Sequence, residues 1–296
     1  MSTEFFCVSA ADVSSLRAGG SLYRACFPKS VKDLTEVFEK YGDEVVFVGG
    51  LTNTLVCDDG VEEIALFSDR LRGIEVSGES LSVAAGEKLS KVARIAAVHG
   101  LAGLEALSNI PGTVGGAVRG NAGAYGREIS DVLTGVEVFR FDTGKTEYLA
   151  REEIAFSYRY SNLSDREYVL RAYFDLKRDD PGAISARCAE YKRKRLLCQP
   201  KEPSLGSVFK RYNGSSMGWF IERCGLKGVR KGAFSFSVRH AGFIVLDPSE
   251  TRGQSIPQAE DYLYLVRLAE KRVQEEFGFL PQREVKIIGD KRQKGD

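Results

Sequence analysis

Several absences narrow what this chain can be. It holds only two histidines, His99 and His240, and its six cysteines, Cys7, Cys26, Cys57, Cys188, Cys198 and Cys224, include no CxxC pair. A zinc site is therefore not expected. No run of about 18 apolar residues occurs, and the chain does not begin with a basic region followed by an apolar stretch, so neither membrane spanning nor secretion is expected. A reducing cytoplasm with free thiols fits best. An excess of one charge is missing too, with 42 Lys and Arg against 41 Asp and Glu. No global field favours nucleic acid or an anionic membrane, and any anion site must be local.

What is present is ordinary globular material. At 296 residues, 43% hydrophobic and 28% charged, the chain is long enough for two or three packed units and has no bias towards disorder. Val31, Leu34, Val37, Phe38 and Tyr41 fall at helical spacing, Gly42 ends that pattern, and the apolar run Val45 to Val48 reads as a strand entering the turn Gly49-Gly50-Leu51-Thr52-Asn53. Short strands are expected around Ile64 to Phe67 and Leu81 to Ala84, with a helix from Lys88 to His99 that Gly100 can cap. Gly135 to Phe141 and Thr146 to Leu149, on either side of Asp142-Thr143-Gly144, predict a hairpin, followed by a strand over Tyr168 to Leu176. Asp179-Asp180-Pro181-Gly182 marks a domain boundary before a helix with a basic end, Lys192 to Arg195. Further on come a helix near Ser216 to Cys224, a strand from Ala241 to Leu246, an amphipathic helix from Pro257 to Phe277 and a strand from Glu284 to Ile288. Residues 291–296 read as a frayed tail.

The segment Ile110 to Gly126, IPGTVGGAVRGNAGAYG, has six glycines and almost no charge. Glycine permits positive φ and removes Cβ, so backbone amides can converge on a diphosphate or a flat ring. A strand bend or close helix packing would have the same composition, which leaves the function open. A dinucleotide-binding βαβ fingerprint fails on context: no strand runs directly into these glycines, and no regular helix is expected through Gly120, Gly123 and Gly126. A Walker A loop is excluded because no GK[ST] follows.

The longer stretch GLEALSNIPGTVGGAVRGNAGAYGREISDVL resembles the flavin-binding signature of the UDP-N-acetylenolpyruvoylglucosamine reductase (MurB) family. Four further blocks match in the family's order. They are the glycine turn ending in Asn53, the run Tyr158-Arg159-Tyr160-Ser161, the run from Pro203 through Ser207 to Lys210, and the run from Arg283 through Glu284 to Gly289. The resemblance implies an α+β fold: a two-subdomain FAD-binding module of the vanillyl-alcohol oxidase/MurB type over residues 1–75 and 76–181, then a C-terminal substrate-binding domain over 182–290. Ser207 follows Arg159 by only 48 positions, which matches the shorter form of the family.

The same resemblance implies a reaction and a set of residues. Family members use NADPH to reduce bound FAD, then reduce the enolpyruvyl ether of a UDP-sugar to a lactyl ether, giving UDP-N-acetylmuramate for peptidoglycan. Ser207 is matched to the proton donor, with Lys210 or Lys227 as candidates for supporting it. Arg159 offers a planar fork of donors for a carboxylate gaining enolate character, and Glu284 is matched to the glutamate that works with it. Cofactor contacts are expected first from Gly49, Gly50, Leu51, Thr52 and Asn53. A second set is Pro111, Gly112, Thr113, Gly115 and Gly116, and a third is Arg119, Asn121, Ala122, Tyr125 and Arg195. Three positions depart from the family: Leu51 where a glycine is usual, Cys198 where a lysine is usual and Leu246 where an asparagine is usual. They motivate a rival expectation, a flavin- or nucleotide-sugar-binding protein that has lost turnover.

Overall fold

The computed structural model describes residues 4–42, 44–251 and 257–290, and the tail expected over 291–296 lies outside them. The chain forms two compact units and passes between them several times. The first contains Glu4 and Phe5, Ala25–Gly50 and Glu63–Arg195; the second contains Phe6–Arg24, Leu51–Glu62 and the chain from Leu196 onward. Both mix helix and strand.

The first unit is built on a five-stranded antiparallel sheet in the order Lys145–Ala150, Leu133–Arg140, Glu167–Asp175, Ser80–Ala84, Ile74–Ser77. The expected hairpin forms its first two strands. Phe139, Phe141 and Phe174 are at most 1% exposed, and each such burial contributes about 1.5–3 kcal/mol. The helix Val31–Tyr41 forms as its spacing predicts: Ser30 accepts from the Asp33 amide at its start, Leu34 and Val37 are buried, and Gly42 follows at φ +62°. Val45–Val48 then pairs in parallel with Val61–Phe67, Val45 opposite Ile64. That pairing aims the end of the strand, and hence Gly49, at the glycine-rich segment.

In the second unit the sheet order is Ser204–Ser207, Phe243–Leu246, Phe234–Phe236, Arg230–Lys231, all antiparallel. The long helix Ala259–Phe277 buries Tyr262, Leu265, Val266, Ala269 and Val273 in the core of this unit. Its first two amides donate to the carboxylate of Asp58, at 2.7 and 2.9 Å. A parallel pair, Thr54–Val56 with Lys286–Ile288, joins residues far apart in sequence.

The glycine-rich segment contains a short helix, Val114–Arg119, which ends at Gly120, so none runs through Gly120, Gly123 and Gly126, as expected. It forms because Thr113 caps it and Gly115 packs on Ala85, where an added Cβ would lie 3.0 Å from the alanine Cβ. Packing overrides the poor helix propensity of glycine there. The strand expected from Glu284 begins at Lys286, so Glu284 lies in the approach to it rather than within it.

Candidate active site

In the first unit the two glycine segments meet backbone to backbone. A Cβ on Gly49 would stand 3.2 Å from Thr113 Oγ1 and 3.7 Å from the Gly116 Cα. Thr113 Oγ1 accepts the Gly116 amide at 3.3 Å, while Val114 and Gly115 donate to the carbonyls of Glu87 and Ala85 at 2.9 Å. The first turn of this helix is therefore fixed beside a strand end that has no side chain. Gly116 and Pro111 are exposed and Gly112 is half-buried. This bare, pinned backbone is the kind of surface that a diphosphate or a flat ring can approach, so the residues present fit a flavin nucleotide.

The next residues divide into surface and brace. Tyr125 and Gly126, at φ +55° and +77°, form the two-residue turn of the hairpin Gly123–Ala124 with Arg127–Glu128, the positive-φ pair that such tight turns require. Tyr125 is exposed and stacks on Tyr191 at 4.9 Å. Arg195, one helical turn beyond Tyr191, is held below its ordinary pKa by burial, with Tyr125 opposing the shift. Tyr125 and Arg195 are thus brought together. Arg119 instead faces inward, donating to Ser164 O and Glu167 O at 3.0 and 2.9 Å, pairing with Asp165 at 2.7 Å and lying over the Phe47 ring. Asn121 is fully buried and all its side-chain bonds are internal, and the backbone of Ala122 is tied to Ala117 and Ile129. Arg159 sits at φ +54° with its guanidinium 4.9 Å from the Tyr158 ring centroid.

In the second unit Ser207, Glu284 and Asn53 converge. Ser207 ends its strand opposite Phe243, after Gly206 at φ +80°. The carbonyl of the next residue, Val208, accepts the amides of Glu284 at 2.8 Å and Val285 at 3.2 Å. Asn53 Nδ2 donates to Glu284 O at 3.0 Å, and the Lys286 amide donates to Asn53 O at 3.0 Å. Arg283 is committed to Glu270 and Lys227 to Glu222, and Lys210 donates its backbone amide to Gln282 O. Thr52 is half-buried. Leu51, at φ +45°, is 3% exposed, so its side chain packs against protein and does not stand open at the turn. Leu246 is 2% exposed and pairs with Phe234, whereas Cys198 is exposed at a helix end.

Two side chains next to these residues, Glu128 and His240, were not among the expected site residues. Glu128 is bonded to Asn121 at 2.7 Å. His240 Nδ1 accepts the Gly242 amide at 3.1 Å, and its ring is wedged where a Cβ on Gly218 or Gly242 would fall 2.7 or 2.8 Å from Cε1. The isolated glycine at 218, inside a helical pattern, was the available signal for the latter. Among the described residues no group of three or more His, Cys, Asp or Glu is arranged to hold a metal, and no helix is long and apolar enough to cross a membrane.

Comparison with known proteins completes this picture. Residues 25–149 match the FAD binding domain family and residues 199–288 match the C-terminal domain of UDP-N-acetylenolpyruvoylglucosamine reductase. Together with the bare backbone cradle, these matches define the class: an FAD-dependent oxidoreductase with a flavin-binding domain followed by a dedicated C-terminal domain. The chain is 40% identical to the UDP-N-acetylenolpyruvoylglucosamine reductase of Caldicellulosiruptor bescii, over 94% of this chain and 88% of that protein. It is 38% identical to that of Rubrobacter xylanophilus, over 93% and 91%. The crystal structure of the Thermus caldophilus enzyme (MurB) matches with a TM-score of 0.83 at 34% identity, covering 97% of this chain and 99% of that one. The chain belongs to the UDP-N-acetylenolpyruvoylglucosamine reductase family.

Proposed function

We propose that this protein reduces the enolpyruvyl group of UDP-N-acetylenolpyruvoylglucosamine to give UDP-N-acetylmuramate, with NADPH as reductant, as a cytoplasmic step in peptidoglycan precursor synthesis. Bound FAD supplies the hydride carrier. Gly49, Gly50, Gly112, Thr113 and Gly116 give it backbone to lie against, Tyr125 and Arg195 offer a stacking face and a cation, and Arg119 and Asn121 hold the segment that carries these contacts. Apart from Arg195, the flavin contacts are assigned to residues 1–75 and 76–181, and the UDP-sugar to residues 182–290.

Three residues carry the proton and the charge. The Arg159 guanidinium meets the pyruvyl carboxylate as negative charge develops there, Ser207 Oγ–H delivers a proton to the adjacent carbon, and Glu284 takes part in stabilising the enolate. A bare carboxylate beside an enolate repels it, so Glu284 acts protonated or strongly hydrogen-bonded. The observation that carries the reading is that the carbonyl of Val208, the residue after Ser207, accepts the Glu284 amide at 2.8 Å, which sets Ser207 and Glu284 on neighbouring backbone where both can serve one intermediate. The burial of Leu51 and Leu246 favours turnover over the rival reading, because both departures lie in packing rather than on an open surface.

The test is a pair of anaerobic half-reactions. NADPH should bleach the flavin in the parent and in Ser207→Ala alike, and enolpyruvyl substrate should restore the yellow form in the parent but at least ~100-fold more slowly in the variant. Bleached parent flavin that the substrate cannot reoxidise would overturn the function. Equal reoxidation in both proteins would overturn the role of Ser207.

A further inference from the structure

Arg159 occupies a conformation that arginine rarely adopts, on the turn between Phe156–Ser157 and Tyr160–Ser161, and such a residue persists only where its surroundings hold it. Its Nη2 donates to Gly123 O at 2.6 Å. Gly123 faces Glu128 across the hairpin, and a Cβ on Gly123 would lie 2.9 Å from Glu128 Cγ and 3.2 Å from Arg159 Nη1. The glutamate stem and the guanidinium therefore press on the same bare Cα. Behind them stands Asn121, fully buried at φ +40°. Its Nδ2 donates to Glu128 Oε2 at 2.7 Å and to Ser157 O at 3.0 Å, while its Oδ1 accepts from the Ser130 amide at 3.3 Å. One side-chain amide thus joins the hairpin that supplies the acceptor for Arg159 to the hairpin that carries Arg159.

We propose that Glu128, bonded to Asn121, is a positioning residue for Arg159: it sets the separation of the two hairpins and thereby the place and direction of the guanidinium. Glu128 does not touch substrate. The proposal rests on the reading of Arg159 as the group that meets the substrate carboxylate. Removing the Glu128 carboxylate leaves Asn121 Nδ2 only the Ser157 carbonyl and releases the hairpin bearing Gly123 O, so the guanidinium loses its fixed acceptor. A misplacement of about 1 Å at a reacting group is enough to slow a step ~100-fold. A competing role exists in the same side chain, which also caps the short turn Ile129–Asp131, and the experiment must separate the two.

The experiment compares the flavin-loaded parent with Glu128→Ala, Glu128→Gln, Arg159→Ala and the double variant E128A/R159A. Reduction by NADPH should be unchanged in E128A, and reoxidation by enolpyruvyl substrate should slow by roughly 10- to 100-fold. E128Q, whose carboxamide oxygen still accepts from Asn121, should stay within about 3-fold of the parent. In the R159A background E128A should add less than about 2-fold, since it acts only through the arginine. Arginine side-chain 15N spectra provide a readout besides turnover: Arg159 Nη signals should be resolved in the parent and E128Q and averaged in E128A. If E128A fails to fold, Glu128→Asp, which keeps the charge but falls short of Asn121, should show the same slowing and averaging. Parental reoxidation in a folded E128A, or effects that multiply fully in the double variant, overturns the proposal. Failure of the parent to be reoxidised overturns the functional reading instead, and the arginine spectra then still decide the positioning.

Discussion

Tyr262 and Tyr168 are fully packed side chains whose hydroxyls find no hydrogen-bond partner among the described residues, and burial pushes both phenols well above their ordinary pKa. A buried unpaired hydroxyl has given up water for nothing, which costs about 1–3 kcal/mol, while the ring contributes normally to the core. Tyr262→Phe keeps the ring and its edge-on contact with Phe234 and removes only the oxygen. We expect it to raise stability by about 1 kcal/mol, read as a higher urea midpoint at unchanged slope. A lower midpoint would mean that the hydroxyl has a partner after all. The site shows the same economy, since Arg119 and Asn121, both readable in the sequence as polar groups in a ligand-binding segment, direct their side chains into protein. A motif identifies which residues a segment needs without saying which way each one faces.

Asp58 illustrates how an element can depend on a residue from elsewhere. The helix Ala259–Phe277 takes its cap from a turn some 200 positions earlier: the carboxylate accepts the Ala259 and Glu260 amides, |i−j| 201 and 202, and sets a negative charge at the positive end of the helix dipole. Asp58→Ala should lower the stability of the second unit by about 1–2 kcal/mol. Trp219, the single tryptophan, lies in that unit, so the loss should appear as a shifted midpoint in its fluorescence. Local pattern made the long helices and the hairpin at Asp142-Thr143-Gly144 legible, because spacing and turn residues act within a few positions. The helix Val114–Arg119 was not legible, since it exists through the packing of Gly115 on Ala85 and the hydrogen bond from Val114 to Glu87 O. For the same reason Ser207 and Glu284 could be matched separately, whereas their meeting at Val208 O depends on a register between distant segments that no local pattern encodes.

For the molecule as a whole, two acidic residues of the first unit tie stability to pH. Glu87 and Glu105 are 2% and 9% exposed. Burial alone would push both carboxyls up, but Lys91, the Gly73 amide and Arg72 outweigh it at Glu87, and Arg187 with the Gly103 amide outweighs it at Glu105, leaving both below the ordinary value of 4.5. The unfolded chain therefore binds protons at these positions before the folded one does. Their contribution is fully present above about pH 4.5 and is lost as pH falls through the depressed folded values. Denaturant midpoints should be flat from neutral pH down to about 5 and then fall, and the double variant E87Q/E105Q should start lower and fall less steeply. An equally steep fall in that variant would place the acid sensitivity elsewhere.

The parallel pairing of Thr54–Val56 with Lys286–Ile288, fastened by the bond from Asn53 to Glu284 across |i−j| 231, has a consequence for how the protein is born. At ribosomal speeds of about 5–20 residues per second, Thr54–Val56 waits roughly 10–50 seconds after leaving the tunnel before its partner is made. During that interval the first unit can complete its sheet, while Leu16, Ala18, Leu55 and Cys57, in the early segments Phe6–Arg24 and Leu51–Glu62, lack the C-terminal side chains that complete their core. The nascent chain should therefore engage holding chaperones through these two segments and release them only when residues 286–288 emerge.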